Sequence, residues 1–341
     1  MKRKIGLLIP FSGEYPHLKR VLLKPVAAYA ASAGLEIISE FIDKGLDKDV
    51  AKAIDKLFYH DDVDIVIGYV GYRVAVQMFD RLRKNPDKLF LHLSMGEIIP
   101  YTHSVINYPA NYKLISADAW KSIAFLGNWV ANELPAQNCL ICTSLYDAGY
   151  SLNESFRIGY HSQQGKSLQS CTLNNPPGSI DVSVLYSEII RLRPEHLHIT
   201  LCGRELYSFI NNFSTYIDPA YVPSVSFSFP VALNEVSSLH PAFERSYACV
   251  ADRIYGDDTE SLAQDPTAVI FNSLAKKAIS IIANEHYNDE PETQSILESD
   301  IIHGAISKNI FSGQISETLN PQFNYSAEHT LSAWQNPYLC I

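Results

Sequence analysis

The chain has 341 residues, enough for two domains of ordinary size rather than one very large one. A hydrophobic fraction of 47% with 19% charged residues describes a folded globular protein and excludes the disordered and fibrous classes. The formal net charge of −10 argues against nucleic acid or an anionic membrane surface as the main partner, and no apolar run approaches the roughly 20 residues of a membrane span.

Met1-Lys2-Arg3-Lys4 is basic like the start of a signal peptide. The apolar run that follows, Ile5 to Phe11, is short, contains Pro10 and ends without a small-residue cleavage site. It reads as the first core strand. The protein is then cytoplasmic, or periplasmic or cell-surface if a signal was removed.

Strand one is followed by the loop SGEYPH, a helix over about 18–33 and a second strand over 35–42. Asp47 is read as a helix N-cap before Val50, Ala51, Ile54, Leu57 and Phe58. The stretch VDIVIGYVGYR, 63–73, is the focus of the chain. Val63, Ile65, Val66 and Ile67 read as a strand buried on both faces that stops at Gly68. After a turn at Gly71, Val74, Val76, Phe79 and Leu82 fall at helical spacing. Such a turn joins the carboxyl end of a strand to a helix N-terminus, where unpaired N–H groups face a ligand in open parallel sheets. A fourth strand, 89–93, ends at Ser94-Met95-Gly96-Glu97.

After Asn107-Tyr108-Pro109-Ala110 the rhythm starts again: a helix over about 115–134, a strand over 139–145, the loop YDAGYS and a helix over 152–164. Next come a strand over 168–173, a helix through Val182 to Leu192, and a strand over 197–201 that ends at Cys202-Gly203-Arg204-Glu205 and opens another helix. HITLCGRELYSFI repeats the device of DIVIGYVGYRVAVQMF. A strand over 224–229 closes the set. From Phe243 the chain reads as helical, through SYACVADRIYG and then TAVIFNSLAKKAISIIA, before a segment FSGQIS and a strand near His329–Trp334. Strands alternating with helices predict parallel sheets in two similar α/β lobes, with a chain that crosses between them more than once.

Several local signals dissolve. Cys139-Leu-Ile-Cys142 has CxxC spacing but lies in an apolar strand pattern, so its thiols read as buried. Gly165-Lys166-Ser167 lacks the upstream glycine of a P-loop, Tyr160 standing there. His196 and His198 share one strand face without a third ligand at metal spacing and read as core or edge histidines. No GxSxG occurs.

The ordered set IGLLIPFSGEY, DKDVAKAIDKLFYHDDVDIVIGYVGYRVAV, LFLHLSMGE, CLICTSLYDAGYSLNESF, DRIYG with DPTAVIFNSLAKKAI, and FSGQIS resembles the type I periplasmic binding proteins of the leucine/isoleucine/valine-binding class along nearly the whole chain. The resemblance implies an α/β clamshell of two Rossmann-like lobes with parallel sheets and three crossovers. Lobe 1 would be 1–110 plus 242–322, lobe 2 would be 111–241 plus 323–341, and the ligand would sit in the cleft between them. It implies a non-catalytic protein that needs no cofactor and closes on a small-molecule ligand.

Matched residue by residue, the resemblance places ligand contacts at Ser12 and Tyr15 of the first loop. Tyr69, Gly71, Tyr72 and Arg73 would provide the carboxylate turn, and Met95, Gly96 and Glu97 the end of the fourth strand. Tyr150, Arg204 and Phe227 would come from the second lobe. Arg73 is a candidate anion clamp, since a guanidinium binds carboxylates through two parallel bonds. Glu97 is a candidate partner for a ligand amine. Tyr69, Tyr72 and Arg73 stand where the family usually carries small residues, which points to a larger, flatter or aromatic ligand, with amino-acid-like compounds and amides beside it. Two roles fit: the solute receptor of an ABC transporter, whose partner is the permease, and a cytoplasmic ligand sensor of the same fold acting on a regulatory protein. An enzyme with a dispersed active site is the third.

Overall fold

The computed structural model describes residues 3–10, 18–96, 107–144, 147–161, 166–176, 179–228, 236–237, 239–251, 266–284, 294–295, 301–308 and 322–324. The chain divides into two compact units. Among the described residues it passes from the first to the second after Asp118, returns at Thr267, and leaves again between Ser295 and Ile301, three passages in all.

The first unit begins with β1 (Lys4–Ile9), α1 (Leu18–Ser32), β2 (Glu36–Phe41) and α2 (Asp47–Asp55), the last prolonged by a π-helical turn, Lys56–His60. It continues with β3 (Ile65–Tyr69), α3 (Tyr72–Gln77), α4 (Phe79–Arg83), β4 (Leu89–Ser94) and β5 (Tyr112–Ser116). The second unit holds α5 (Ala119–Glu133), β6 (Asn138–Ser144), α6 (Asp147–Tyr160), β7 (Ser167–Leu173), α7 (Ser183–Leu192), β8 (His196–Thr200), α8 (Gly203–Tyr216), β9 (Ser224–Phe227) and β10 (Ser246–Ala251). The chain then returns to the first unit as α9 (Pro266–Ala283) and the short β11 (Gln294–Ser295), and ends in the second with β12 (Ile301–Lys308) and β13 (Gln322–Asn324).

The first sheet runs β11-β5-β4-β3-β1-β2, and its pairings among the described residues are parallel. The second runs β13-β12-β10-β9-β8-β6-β7. It is parallel from β7 to β10 and antiparallel where β12 pairs β10 and β13 pairs β12. Counted from its own first strand, each unit repeats the order 2-1-3-4-5. The order therefore reverses between β1 and β3 in one unit and between β6 and β8 in the other, and ligands of open α/β sheets meet the carboxyl ends of the strands at such reversals. Burial follows the pattern parallel sheets require. β3 through Gly68, all of β4 and β5, and β8 are inaccessible on both faces because helices cover each side.

Several elements differ from the sequence expectation. β5 takes residues assigned to the start of a helix. The buried Lys113 interrupts its apolar run, and pairing with β4 decides its conformation. SYACVA, expected as helix, is β10 and adds to β9. Residues 246–251 and 301–308, expected in the first lobe, are thereby strands of the second sheet. Asp47 is the first residue of α2 rather than its cap: Leu46 stands at the cap without a side-chain bond, and the carboxylates of Asp47 and Asp49 lie in the first turn, where the dipole favours them. β3 runs one residue past Gly68. α6 starts at Asp147, so residues 147–151 of the expected loop YDAGYS open that helix. The segments FSGQIS and His329–Trp334 lie outside the described residues.

Candidate functional site at the strand ends

In the first unit the candidate turn stands at the reversal point. β3 ends at Tyr69, Gly71 takes the N-cap position of α3 in extended conformation (φ −61°, ψ 143°), and Tyr72 and Arg73 open the helix. The helix is six residues long and breaks at Met78 before α4, instead of running on to Leu82 as the spacing predicts. Its dipole is correspondingly short, and the turn is held by side chains instead.

His92, on β4 and fully buried, lies 2.9 Å from the Val70 carbonyl through Nε2 and 2.6 Å from the Tyr112 hydroxyl through Nδ1. Burial disfavours the imidazolium and lowers the pKa of His92 to about 4, so the ring is neutral at physiological pH. A carbonyl only accepts, so Nε2–H donates to Val70 and Nδ1 accepts from Tyr112. The exit of β3 is thus fixed by a side chain on the neighbouring strand. The Tyr72 hydroxyl in turn bonds the Tyr108 hydroxyl. Tyr108 stacks on Tyr112 with centroids 5.6 Å apart, and the Phe79 ring packs against Tyr112 at 4.8 Å and Tyr108 at 5.4 Å. Burial and the Tyr72 bond push the Tyr108 phenol far above its ordinary range, so it remains protonated.

Sequence reasoning assigned none of His92, Phe79, Tyr108 and Tyr112 to the site. The tyrosine-rich NYPANYK was the available signal, but its meaning depends on strand pairing.

The other first-unit candidates divide by role. Tyr69 turns its ring onto Phe271 of α9, with centroids 4.9 Å apart and planes at 81°. Met95 and Gly96 follow β4, whose Leu93 is the register partner of Tyr69, so they share a sheet edge with the Gly71 turn. Gly96 has φ +78°, and a Cβ there would come within 2.3 Å of the Asp118 backbone nitrogen. Its own N–H donates to Ser94 Oγ at 3.0 Å, as Asp118 N–H does to Ser116 Oγ. Ser12, Tyr15 and Glu97 lie outside the described residues.

In the second unit Arg204 is exposed in the first turn of α8, and Gly203 before it has φ +54°. The adjacent Glu205 accepts from Asn175 Nδ2 at 2.7 Å. Tyr150 stands in the first turn of α6. Phe227, expected as a wall of the cleft, is instead 2% exposed in the hydrophobic core, 6.2 Å from Phe243, because alternation along β9 sends Val225 and Phe227 inward under α7 and α8. His196 and His198 occupy the opposite face and are fully buried. Cys139 and Cys142 are buried free thiols, and burial raises the pKa of both.

No protein-family model matches the sequence, and no curated protein does. Solved structures match it along almost its full length. An ABC-transporter solute-binding protein from Rhodopseudomonas palustris in complex with benzoate superposes with a TM-score of 0.69 at 15% identity, covering 96% of this chain and 99% of that one. A leucine-binding protein from Thermotoga maritima gives 0.69 at 12% identity, with 94% and 99% covered. An amino acid ABC transporter substrate-binding protein from Pseudomonas fluorescens gives 0.71 at 12% identity, with 98% of both covered. The chain has the type I periplasmic-binding-protein fold. Two α/β units of equal strand order, joined by three passages among the described residues, are its hallmarks here. Among the described residues of this binding-protein fold, no helix is long and apolar enough to cross a membrane.

Proposed function

We propose that the protein is a non-catalytic small-molecule-binding protein and serves as the solute receptor of an ABC transporter, for a ligand that is amino-acid-like, an amide or aromatic. The observation that carries this reading is the near-complete two-way coverage of solute-binding proteins, 96% against 99% for the benzoate complex. The site chemistry supports it. Gly71 and Tyr72 lie at the strand-order reversal, on a turn held by His92, where the half-buried rings of Tyr72 and Tyr108, backed by the buried Phe79 and Tyr112, can contact an apolar ligand while backbone amides take its polar end. Tyr72 contributes its ring, its hydroxyl being bonded to Tyr108. Arg73 supplies a cation next to the turn. Periplasmic or cell-surface placement and a permease partner follow from this role.

The test is a thermal-shift screen against amino acids, amides, benzoate and hydroxybenzoates, followed by calorimetry and by NMR of the recovered compound. A ligand that binds only the folded chain stabilises it by about 2.7 kcal/mol at a hundredfold excess over its dissociation constant. Saturable one-to-one binding with the compound recovered unchanged is expected. Conversion of the compound would make the protein an enzyme, and a screen without a hit would withdraw these ligand classes.

A further inference from the structure

The second unit contains a polar spine that runs across β8 and β9. β8 reads His196-Leu-His198-Ile-Thr200, and β9 with the next residue reads Ser224-Val-Ser226-Phe-Ser228. The strands are parallel, with His196 opposite Ser224 and His198 opposite Ser226. Alternation puts the three β8 polar residues and the three serines on one face. His196 Nδ1 is 2.8 Å from Ser224 Oγ, and its Nε2 is 2.8 Å from Ser226 Oγ. His198 Nδ1 is 2.8 Å from the same Ser226 Oγ, and its Nε2 is 2.8 Å from Ser228 Oγ. Ser228 Oγ is 3.1 Å from Thr200 Oγ1. The interior members, His196, His198 and Ser226, are wholly buried, and the Phe156 ring lies flat on His198 at 3.7 Å.

We propose that this Ser–His chain sets the hydrogen-bond polarity of the second unit's strand ends, making Ser228 an acceptor that selects a ligand's N–H or O–H donor. The proposal rests on the reading of the protein as a small-molecule receptor. It follows from counting protons along the chain. At the far end Ser224 Oγ donates to the Glu195 carbonyl, 3.3 Å away, and a carbonyl can only accept. With its proton so used, Ser224 accepts from His196 Nδ1–H. Neutral imidazole has one N–H, so His196 Nε2 accepts from Ser226. Ser226 then accepts from His198 Nδ1–H, and His198 Nε2 accepts from Ser228. Ser228 has donated its proton inward and accepts from Thr200, which leaves one lone pair of Ser228 at the strand end. Ser228 is partly exposed there, beside the reversal between β6 and β8.

The opposite polarity requires both imidazoles to change tautomer and Ser224 to give up its bond to Glu195. A carboxylate placed at Ser228 meets only lone pairs, whereas an ammonium, amide N–H or phenol finds its partner. His196 and His198 are positioning residues: neither meets the ligand, and each fixes the proton of the next member.

Nitrogen-15 NMR of the full chain, labelled at histidine and assigned with His196→Gln and His198→Gln, reads the tautomers directly. Both residues are expected as neutral Nδ1–H imidazoles. Ser226→Ala, which removes the shared hydroxyl, is expected to leave His198 a mixture of tautomers. Nε2–H or mixed tautomers in the unsubstituted protein overturn the proposal. Benzylammonium and benzoate are then titrated against the Thr200 and Ser228 resonances. The expected result is perturbation by benzylammonium that is at least tenfold weaker in Ser228→Ala, with benzoate leaving these two residues in place. Perturbation by benzoate alone, or by neither, overturns it. A flat ligand screen together with Nδ1–H tautomers and a benzylammonium response at Ser228 would sink the proposed ligand classes and leave the spine's polarity standing.

Discussion

Gly96 and Tyr72 show how single residues set the first unit's strand ends. At Gly96 the backbone is left-handed and the Asp118 nitrogen occupies the space of a Cβ. Gly96→Ala therefore carries both conformational strain and a backbone clash, and it should cost on the order of 3 kcal/mol, read as a lowered denaturant midpoint with an unchanged slope. At Tyr72 ring and hydroxyl have separate roles. Tyr72→Phe loses the bond to Tyr108 and should cost about 1 kcal/mol of stability while ligand affinity is kept. Tyr72→Ala should weaken affinity about tenfold or more in calorimetry. Equal affinity in Tyr72→Ala would remove this ring from the ligand site.

The α5–α6 pair and the break at Met78 are decided between elements. A Cβ at Gly159 of α6 would lie 1.9 Å from the Ala124 carbonyl oxygen of α5, and one at Gly127 of α5 would lie 2.2 Å from the Phe156 carbonyl oxygen. The helices thus touch backbone to backbone, and Phe156 is thereby seated on His198. Gly159→Ala should force the pair apart at a cost of about 3 kcal/mol, seen as faster amide exchange in α5 and α6. Unchanged exchange there would show that the helices separate without loss. The residues that hold the Gly71 turn also come from other elements: His92 from β4 and Tyr112 from β5. Apolar periodicity shows where a turn lies, and it says nothing of which neighbouring strand will tie it.

Across the whole molecule, buried histidines in both units make stability depend on pH. Burial lowers His92 from its ordinary 6.5 to about 4 and His196 to about 3, and it lowers His198 as well. Between these values the unfolded chain binds protons that the folded chain refuses. Stability is therefore full above about pH 6.5, falls as pH drops through the window toward 4, and levels off below the folded values. His92 alone accounts for roughly 3 kcal/mol across it. Urea melts at pH 7.5 and pH 5 should show the lower midpoint at pH 5, and His92→Gln should flatten part of that slope. A flat profile would mean that the imidazoles are not buried neutral.

By itself the sequence determined the fold class, because strands buried on both faces and alternating with amphipathic helices have few arrangements other than parallel sheets. Gly-turn devices repeated in each half marked two such sheets. It placed the Gly71–Tyr72 turn at a strand end, since the change from strand to helical spacing is local. Tertiary structure decided what depends on partners distant in the chain. Tyr112–Ser116 and Ser246–Ala251 became strands because an open sheet edge was there to pair them. Phe227 went to the core because register fixed its face. His196 and His198 read in sequence as core histidines, but only the register of β8 against β9 aligned them with three serines into one directional chain. Periodicity is written along the chain, whereas register and hydrogen-bond polarity exist only between strands.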